Sequence, residues 1–369
     1  MAVRLLSRGI NILYELPLSP ILVPRFFMTI ELTDPIYTPS SHINKFEAFV
    51  LRLINDKRDL PFVYLSLQIS LLLVPSAVFL YFSKSAHWLL YVGYLGGYLF
   101  FLGPYTLMLH NTCHRKLFKK QYSFLAKYIH WFLGAFLGQT PDTFFHHHVA
   151  MHHAENNLEE DLSSTMEFRR DSFRGFLYYL IHFYFFGVLH LSFYFNKKNR
   201  HKFAWRVLIS ESVYILLILI LCFINLKATL LIFIVPLLFT RFSMIAGNWA
   251  QHAFIDPSSP DNIYTNSITC INTVYNKKCF NDGYHIGHHL RSSLHWTEMP
   301  KDFLNNIEKY KANKAIIFTG LDYFQIWFLL MTKNYTFLSK RTVSLSDTPP
   351  SIEEIKSLLK SRTRQFCTS

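Results

Sequence analysis

Long stretches without charge constrain this chain more than any other feature of its sequence. Residues 61–82 and 88–109 contain no charged side chain, and crossing a bilayer core of about 30 Å takes roughly 20 apolar residues of helix. Residues 207–226 and 228–247 form a second pair, in which Glu211 and Arg241 are the only charges. Since a few residues separate the members of each pair, the sequence predicts two helical hairpins in a membrane.

The composition and the distribution of charge agree with a multi-pass integral membrane protein. The chain is 51% hydrophobic and 17% charged, whereas soluble domains carry roughly 25% charged residues. Lysines and arginines cluster before the first hairpin and between the two hairpins, while the hairpin tips carry only Lys84 and Lys227. The positive-inside rule then places both termini and the long loops on the cytosolic side. It also accounts for most of the net charge of +13, so we expect no nucleic-acid partner.

A fifth stretch, residues 175–195, has the length of a span but contains His182 and His190. Five crossings would put the regions after residues 109 and 247 on opposite faces of the membrane. We expect groups from both regions to share one site, and we therefore predict that residues 175–195 lie at the membrane interface. A genuine fifth span without a shared site is the alternative, because hydropathy alone favours a span.

The remainder of the chain divides into flanking segments. Residues 1–60 are predicted to form an N-terminal cytosolic or interfacial segment without a secretory signal, and residues 61–339 the membrane domain with its cytosolic cap. Residues 340–369 form a polar C-terminal tail. Ser351 and Glu354 have capping-box spacing there, which predicts a short amphipathic helix with Ile352, Ile355 and Leu358 on its apolar face. The five cysteines form no C-x-x-C pair.

The number and spacing of the histidines indicate a metal-binding site. Eight of the 18 histidines form three groups with the spacings H-x-x-x-H, H-x-x-x-H-H and H-x-x-H-H. In chain order the groups are His110 and His114; His148, His152 and His153; and His285, His288 and His289. Residues three or four apart share one face of a helix. Either of the two triplets would arise by chance only about 0.04 times in such a chain. A fourth element, Asn248 and His252, has the same helical spacing at the end of the last predicted span.

The ligand chemistry favours a dinuclear iron site. Imidazole ligands suit zinc, copper, iron or nickel, but the H-E-x-x-H motif of zinc proteases is absent. Nine imidazoles exceed what one tetrahedral zinc ion binds, whereas two five- or six-coordinate irons that handle oxygen would use them. Around the ligands we expect outer partners that orient the imidazoles. The candidates are His147, Glu155, Asp161 and Asp282.

With these three motifs in this order, the chain resembles the membrane fatty acid desaturase family over roughly residues 61–296. The resemblance implies an all-α integral membrane protein with four transmembrane helices in two hairpins and a cytosolic helical cap that holds two non-haem irons. It implies that Asn248 acts on the metal through water. It implies nine iron ligands, namely His110, His114, His148, His152, His153, His252, His285, His288 and His289. His147 is an alternative to His148 in the second motif, and His295 has no place in the pattern.

The implied activity is the O₂-dependent introduction of a double bond into the acyl chain of a fatty acyl lipid or acyl-CoA. An external electron donor of the cytochrome b5 or ferredoxin type would supply two electrons. The endoplasmic reticulum is the expected location, with a plastid or bacterial inner membrane as alternatives. The alternative functions are a lipid hydroxylase or ketolase with the same motifs and, more remotely, a metal transporter or a receptor that has kept a metal site.

The predicted topology can be tested at the sequon Asn334-Tyr-Thr. Because this segment is expected on the cytosolic side, we predict that expression in a secretory-competent host leaves Asn334 without glycan. Endoglycosidase treatment should not change the mobility of the protein, and Asn334→Gln should migrate like the parent chain. A glycan on Asn334 would contradict the predicted orientation.

Overall fold

A computed structural model of the chain describes residues 30–39, 42–83 and 87–366. Most of the predicted N-terminal segment, residues 1–29, and Lys84 at the first hairpin tip lie outside the described residues. The chain divides into two compact units. The first contains Thr38–His148 and Val188–Phe242; the second contains Val149–Gly187, Ser243–Ser369 and the described residues up to Tyr37.

Five helices in the described part of the chain are long and apolar enough to cross a membrane. They are Lys57–Phe82, Trp88–His114, Phe173–Lys197, His201–Ile224 and Leu226–Gln251. Three of them contain the predicted spans 61–82, 88–109 and 228–247, and His201–Ile224 covers the predicted span 207–226 except for its last two residues. The fifth, Phe173–Lys197, contains residues 175–195, so by length and composition it is also a candidate span. The protein is therefore a largely helical, membrane-embedded protein.

Two of these long helices contain π-helical turns directly before a proline. Ile69–Leu73 is π-helical and precedes Pro75, and Leu230–Ile234 is π-helical and precedes Pro236. Proline has no N–H to donate, and its ring clashes with the carbonyl four residues earlier. A local slip to the wider π-helical turn relieves both conflicts while the helix continues. The helices thus remain long enough to cross a membrane despite their internal prolines.

The first unit contains an ion pair between two of its long helices. An arginine N–H of Arg241 donates to Glu211 at 2.7 Å, and the hydroxyl of Thr140 donates to the other carboxylate oxygen at 2.6 Å. The side chains of Glu211 and Arg241 are 6% and 17% exposed. A charge in the membrane interior is costly unless it is paired, and here each charge has the other as its partner.

Shorter helices make up much of the remaining structure. In the first unit they are Lys45–Leu53, Lys120–Tyr122, Phe124–Lys127, Tyr128–Leu133, Gly134–Phe136 and Pro141–Phe145. The helical segments His146–His152 and His153–Glu155 follow. In the second unit they are Ile263–Asn266, Val274–Lys278, His285–Leu290, Trp296–Glu298, Met299–Asn305, Ile307–Ala312, Tyr323–Met331, Tyr335–Lys340 and Ile352–Arg362.

The second unit also contains two short strands, which the all-α prediction did not include. Ile268–Ile271 and Ile316–Thr319 pair in parallel, with Ile268 opposite Ile316. Parallel strands need a long crossover connection, and the helix His285–Leu290 lies within it. A buried apolar cluster that includes Ile271, Ile317 and Tyr284 packs around this sheet.

The capping box of the tail helix is confirmed. The Ser351 side chain accepts from the backbone of Glu354, and the Glu354 side chain accepts from the backbone of Ser351. The predicted apolar face is wrong in part, because Ile352 and Leu358 are 45% and 42% exposed. Ile355 is buried as predicted, and its partner one turn later is Leu359. The buried face therefore consists of Ile355, Leu359, Arg362 and Thr363, which are spaced three or four residues apart.

The ion pair of the first unit gives a stability prediction. Removing one partner of a buried pair leaves an uncompensated charge and costs about 3–5 kcal/mol, so Arg241→Met should lower the thermal midpoint of the purified protein markedly. Glu211→Gln combined with Arg241→Met should recover much of that loss. Lys227→Met, which removes an exposed cation, serves as the control and should change stability by about 1 kcal/mol or less. Equal midpoints for the single and double variants would contradict this assignment.

Candidate metal centre

The predicted histidines lie on a few helical segments. His110 and His114 end the helix Trp88–His114, one turn apart. The second motif lies on the π-helical segment His146–His152 and on the helix that begins at His153. The third occupies the helix His285–Leu290, and His252 directly follows the helix Leu226–Gln251. π-Helical turns are rare and occur frequently at functional sites.

Four of the nine histidines meet in the second unit. They come from the second motif, from the end of the last long helix and from the third motif: His152, His252, His285 and His289. One ring nitrogen of each lies within 4.8 Å of the corresponding nitrogen of the others. The Nε2 atoms of His285 and His252 are 3.3 Å apart, and those of His289 and His285 are 3.1 Å apart.

These separations fit a common metal ion. Two imidazole nitrogens that bind one metal at about 2.1 Å and at right angles are about 3.0 Å apart. Three of the four rings have an acceptor at the opposite nitrogen, Nδ1. His152 donates to the carboxylate of Asp161 at 2.7 Å, and His252 donates to the backbone carbonyl of Asn266 at 2.9 Å. His289 donates to the amide oxygen of Asn156 at 3.1 Å. Since the proton is held on Nδ1, Nε2 keeps its lone pair for a metal.

The electrostatics also suit metal binding. Burial lowers the pKa of His252 to about 4, and burial together with the neighbouring histidines lowers the pKa of His289 well below its usual value. Burial alone would raise the pKa of Asp161, but the neighbouring His152 and the hydrogen bonds from His152 and Ser163 lower it below its usual range. The acid is therefore ionised, and the two histidines are neutral, at physiological pH. Neutral imidazole is the form that binds a metal.

Two asparagines next to the second motif were missed by the sequence analysis. Asn156 and Asn157 have φ of 51° and 60°, the left-handed region that asparagine enters more readily than most residues. This turn directs the side chain of Asn156 to His289. The amide of Asn157 donates to Asp161 through its backbone and to Asn266 through its side chain. An Asn-Asn pair directly after a helix is a sequence signal for such a turn.

The other five predicted ligands fall into a set of three and a pair. In the first unit, the Nε2 atoms of His114 and His148 are 3.1 Å apart, and the rings of His110 and His148 are 4.4 Å apart between centroids. In the second unit, the Nε2 atoms of His153 and His288 are 2.9 Å apart. Each set has the close approach of nitrogens that a shared metal would produce.

The predicted outer partners have different surroundings. Asp161 contacts His152, as described above. Asp282 accepts from the hydroxyl of Tyr275 at 2.6 Å. His147 and Glu155 are partly buried beside the second motif. In the first unit, His148 is the member of the histidine run that lies against His114, which agrees with the preferred register of the second motif.

Hydrogen bonds define the surroundings of two further residues. The side-chain amide of Asn248 donates to the Ser163 carbonyl and to the Tyr179 hydroxyl, both at 2.9 Å. His295, which has no place in the motif pattern, is buried and not at the surface. It caps the short helix Trp296–Glu298, where it accepts from the backbone of Thr297.

Comparison with known proteins agrees with this geometry. The family model for fatty acid desaturase matches residues 86–320, more than half of the chain. The chain belongs to the fatty acid desaturase family. The searches of curated proteins and of solved structures found no match. Membership makes the protein an oxidoreductase that acts on fatty acids, and the matched region includes all nine histidines.

The hydrogen bond between Asp161 and His152 gives a prediction for metal affinity. Loss of an outer partner of a metal-binding histidine typically costs 10–100-fold in affinity, so Asp161→Asn should weaken metal binding by about that factor. A chelator competition titration on the purified protein measures it. Asp261→Asn, which removes an exposed acid from the same unit, is the control and should leave the affinity unchanged. Equal affinities for both variants would contradict the role assigned to Asp161.

Proposed function

We propose that this protein is a membrane fatty acyl desaturase that uses O₂ and a histidine-ligated di-iron centre. The observation that carries the proposal is the cluster of His152, His252, His285 and His289, with acceptors holding the Nδ1 proton of three rings. Buried imidazoles whose nitrogens converge in this way are arranged for a metal ion, and burial keeps two of them, His252 and His289, neutral. Family membership supplies the substrate class, a fatty acyl chain.

The grouping of the histidines indicates which of them would hold each iron. The four-histidine cluster would hold one iron. The resemblance implies that the nine histidines together bind two irons, so the second iron is expected among His110, His114 and His148 of the first unit or His153 and His288 of the second. The resemblance also assigns Asn248 a role through water, which agrees with its position one helical turn before His252. Glu155, His147 and Asp282 remain candidates for outer partners.

The overall reaction would convert a CH₂–CH₂ pair and O₂ into CH=CH and two waters, with two electrons and two protons supplied from outside. The bound irons would supply the activation of O₂ and the removal of hydrogen. The residues of the chain would hold and orient the metal. Asp161, Asn266 and Asn156 keep the Nδ1 proton on three ligands, which fixes the direction of each lone pair. An external donor of the cytochrome b5 or ferredoxin type would deliver the electrons.

The proposed topology has four crossings in two hairpins, with the histidines in a cytosolic cap and the helix Phe173–Lys197 at the interface. A shared centre requires an even number of crossings between His114 and His252. Two polar side chains, His182 and His190, and several exposed aromatic ones, including Phe185 and Phe193, support an interfacial position. Aromatic side chains are enriched at membrane interfaces. The endoplasmic reticulum is the proposed membrane.

Lipid analysis tests the activity. The protein is expressed in a host that lacks the activity, and the double bonds of its acyl lipids are located by mass spectrometry. We expect a new unsaturated species in cells with the parent chain and none with His285→Ala. His201→Ala, an exposed histidine outside the motifs, is the control and should retain the product. A hydroxylated or keto product instead would identify the alternative hydroxylase or ketolase.

Metal analysis tests the cofactor. The purified protein should contain about two irons per chain, and His285→Ala should reduce that content. Removal of iron by a chelator should abolish product formation, and restoring Fe²⁺ should return it. Full activity in a zinc-only protein would contradict the di-iron proposal.

A further inference from the structure

The side chain of Arg170 is fully buried in the second unit, and within the described part of the chain it donates to backbone carbonyls. Its guanidinium lies within hydrogen-bond distance of six carbonyl oxygens, at 2.7–3.2 Å. Burial lowers its pKa to about 10, which leaves it cationic at neutral pH. A buried cation is stable only when its donors are satisfied, and here backbone from distant parts of the chain provides the acceptors.

The six carbonyls come from three separate regions of the sequence and fall into two groups, one near His252 and one in the C-terminal tail. On one side, Arg170 binds the carbonyls of Ala253 and of the loop residues Thr165, Met166 and Phe168. On the other side, it binds the carbonyls of Arg362 and Arg364, at 2.9 and 2.7 Å. The backbone N–H of Arg170 also donates to the carbonyl of Thr363 at 2.8 Å. These tail carbonyls lie at the end of the helix Ile352–Arg362, where the helix dipole favours a cation.

The first group of carbonyls adjoins the metal cluster. Ala253 directly follows His252, and the hydroxyl of Thr165 donates to the His252 carbonyl at 2.7 Å. The indole of Trp249, three residues before His252, donates to the carbonyl of Arg170 at 2.9 Å. Arg170 and its loop therefore contact the carbonyls of His252 and Ala253 and the side chain of Trp249.

The tail makes two further polar contacts with this region. Arg362 forms an ion pair with Asp256 at 3.0 Å, and Asp256 is joined through its backbone to Thr265, next to Asn266. The hydroxyl of Tyr335 lies 2.9 Å from both Asp171 and Thr363. Phe366 packs its ring against the Arg170 guanidinium. The tail thus approaches His252 through Arg170 and approaches its acceptor Asn266 through Asp256.

We propose that Arg170 is a positioning residue that joins the C-terminal tail, Ser351–Phe366, to the backbone around His252. Through this connection the tail would strengthen metal binding at the cluster. The tail lies beyond the family match, which ends at residue 320. This inference rests on the proposed function, because it concerns the metal bound by the cluster of His152, His252, His285 and His289.

Variants of the full-length, detergent-purified protein test the proposal. Arg170→Gln removes the cation. Arg170→Lys keeps the charge but lacks the planar guanidinium that reaches both the carbonyls near His252 and those of the tail. Deletion of residues 351–369 removes the tail. Each of the three should weaken metal affinity by about tenfold or more, measured by chelator competition, and should lower the iron content below that of the parent chain. Arg174→Gln, which changes an exposed arginine of the helix Phe173–Lys197, is the control and should bind metal like the parent chain.

A second measurement uses the unmodified chain and does not depend on a variant that folds. Because linkage is reciprocal, metal that is stabilised by the tail must also stabilise the tail. Amide hydrogen exchange at residues 363–366 should slow several-fold when iron is added to the metal-free protein. Equal exchange with and without iron would overturn the proposal, as would Arg170→Gln or the tail deletion binding iron with parental affinity. Absence of iron binding by the parent chain would instead contradict the proposed function.

Discussion

The second unit depends on keeping several buried imidazoles neutral and turned toward one another. Burial lowers the pKa of His252 and of His289. The Nε2 atoms of His285 and His289 are 3.1 Å apart, a separation at which two lone pairs repel unless a cation lies between them. The acceptors at Nδ1 decide which nitrogen carries the proton. Asp161, the carbonyl of Asn266 and the amide of Asn156 provide them. The loops that hold these acceptors are therefore as necessary to the site as the histidines.

Helical periodicity made the histidine motifs predictable, because residues three or four apart share a face whatever the tertiary structure. His285 and His289 illustrate this. The acceptors could not be predicted in the same way. Asn266 lies far along the chain from the second motif, and no local spacing connects it to Asn157 or His252. Asp161 was among several nearby acids, and only the three-dimensional structure distinguishes it from Asp282, which contacts Tyr275.

The long helices were predictable for a similar reason, since a bilayer imposes a length and a composition that sequence displays directly. The pairing of Glu211 with Arg241 is a tertiary contact, although each charge was visible within its span. The two strands were not predicted, because a segment of four mostly apolar residues such as Ile316–Thr319 cannot be distinguished from a helical segment by periodicity. In the tail, the capping box identified where the helix begins, but its buried face depended on neighbours that the sequence does not specify.

Arginine is well suited to join the tail to the metal site because its donors are fixed in a planar fork that points in several directions at once. At Arg170, Nε faces Ala253 while a terminal nitrogen faces the end of the tail helix. A carboxylate could serve only one of these directions and would neutralise the charge. Backbone carbonyls leave the cation charged, and they fix its position relative to three segments of the chain. These contacts fix the position of the backbone next to His252. The carbonyls at the end of the tail helix supply the remaining acceptors for the Arg170 guanidinium.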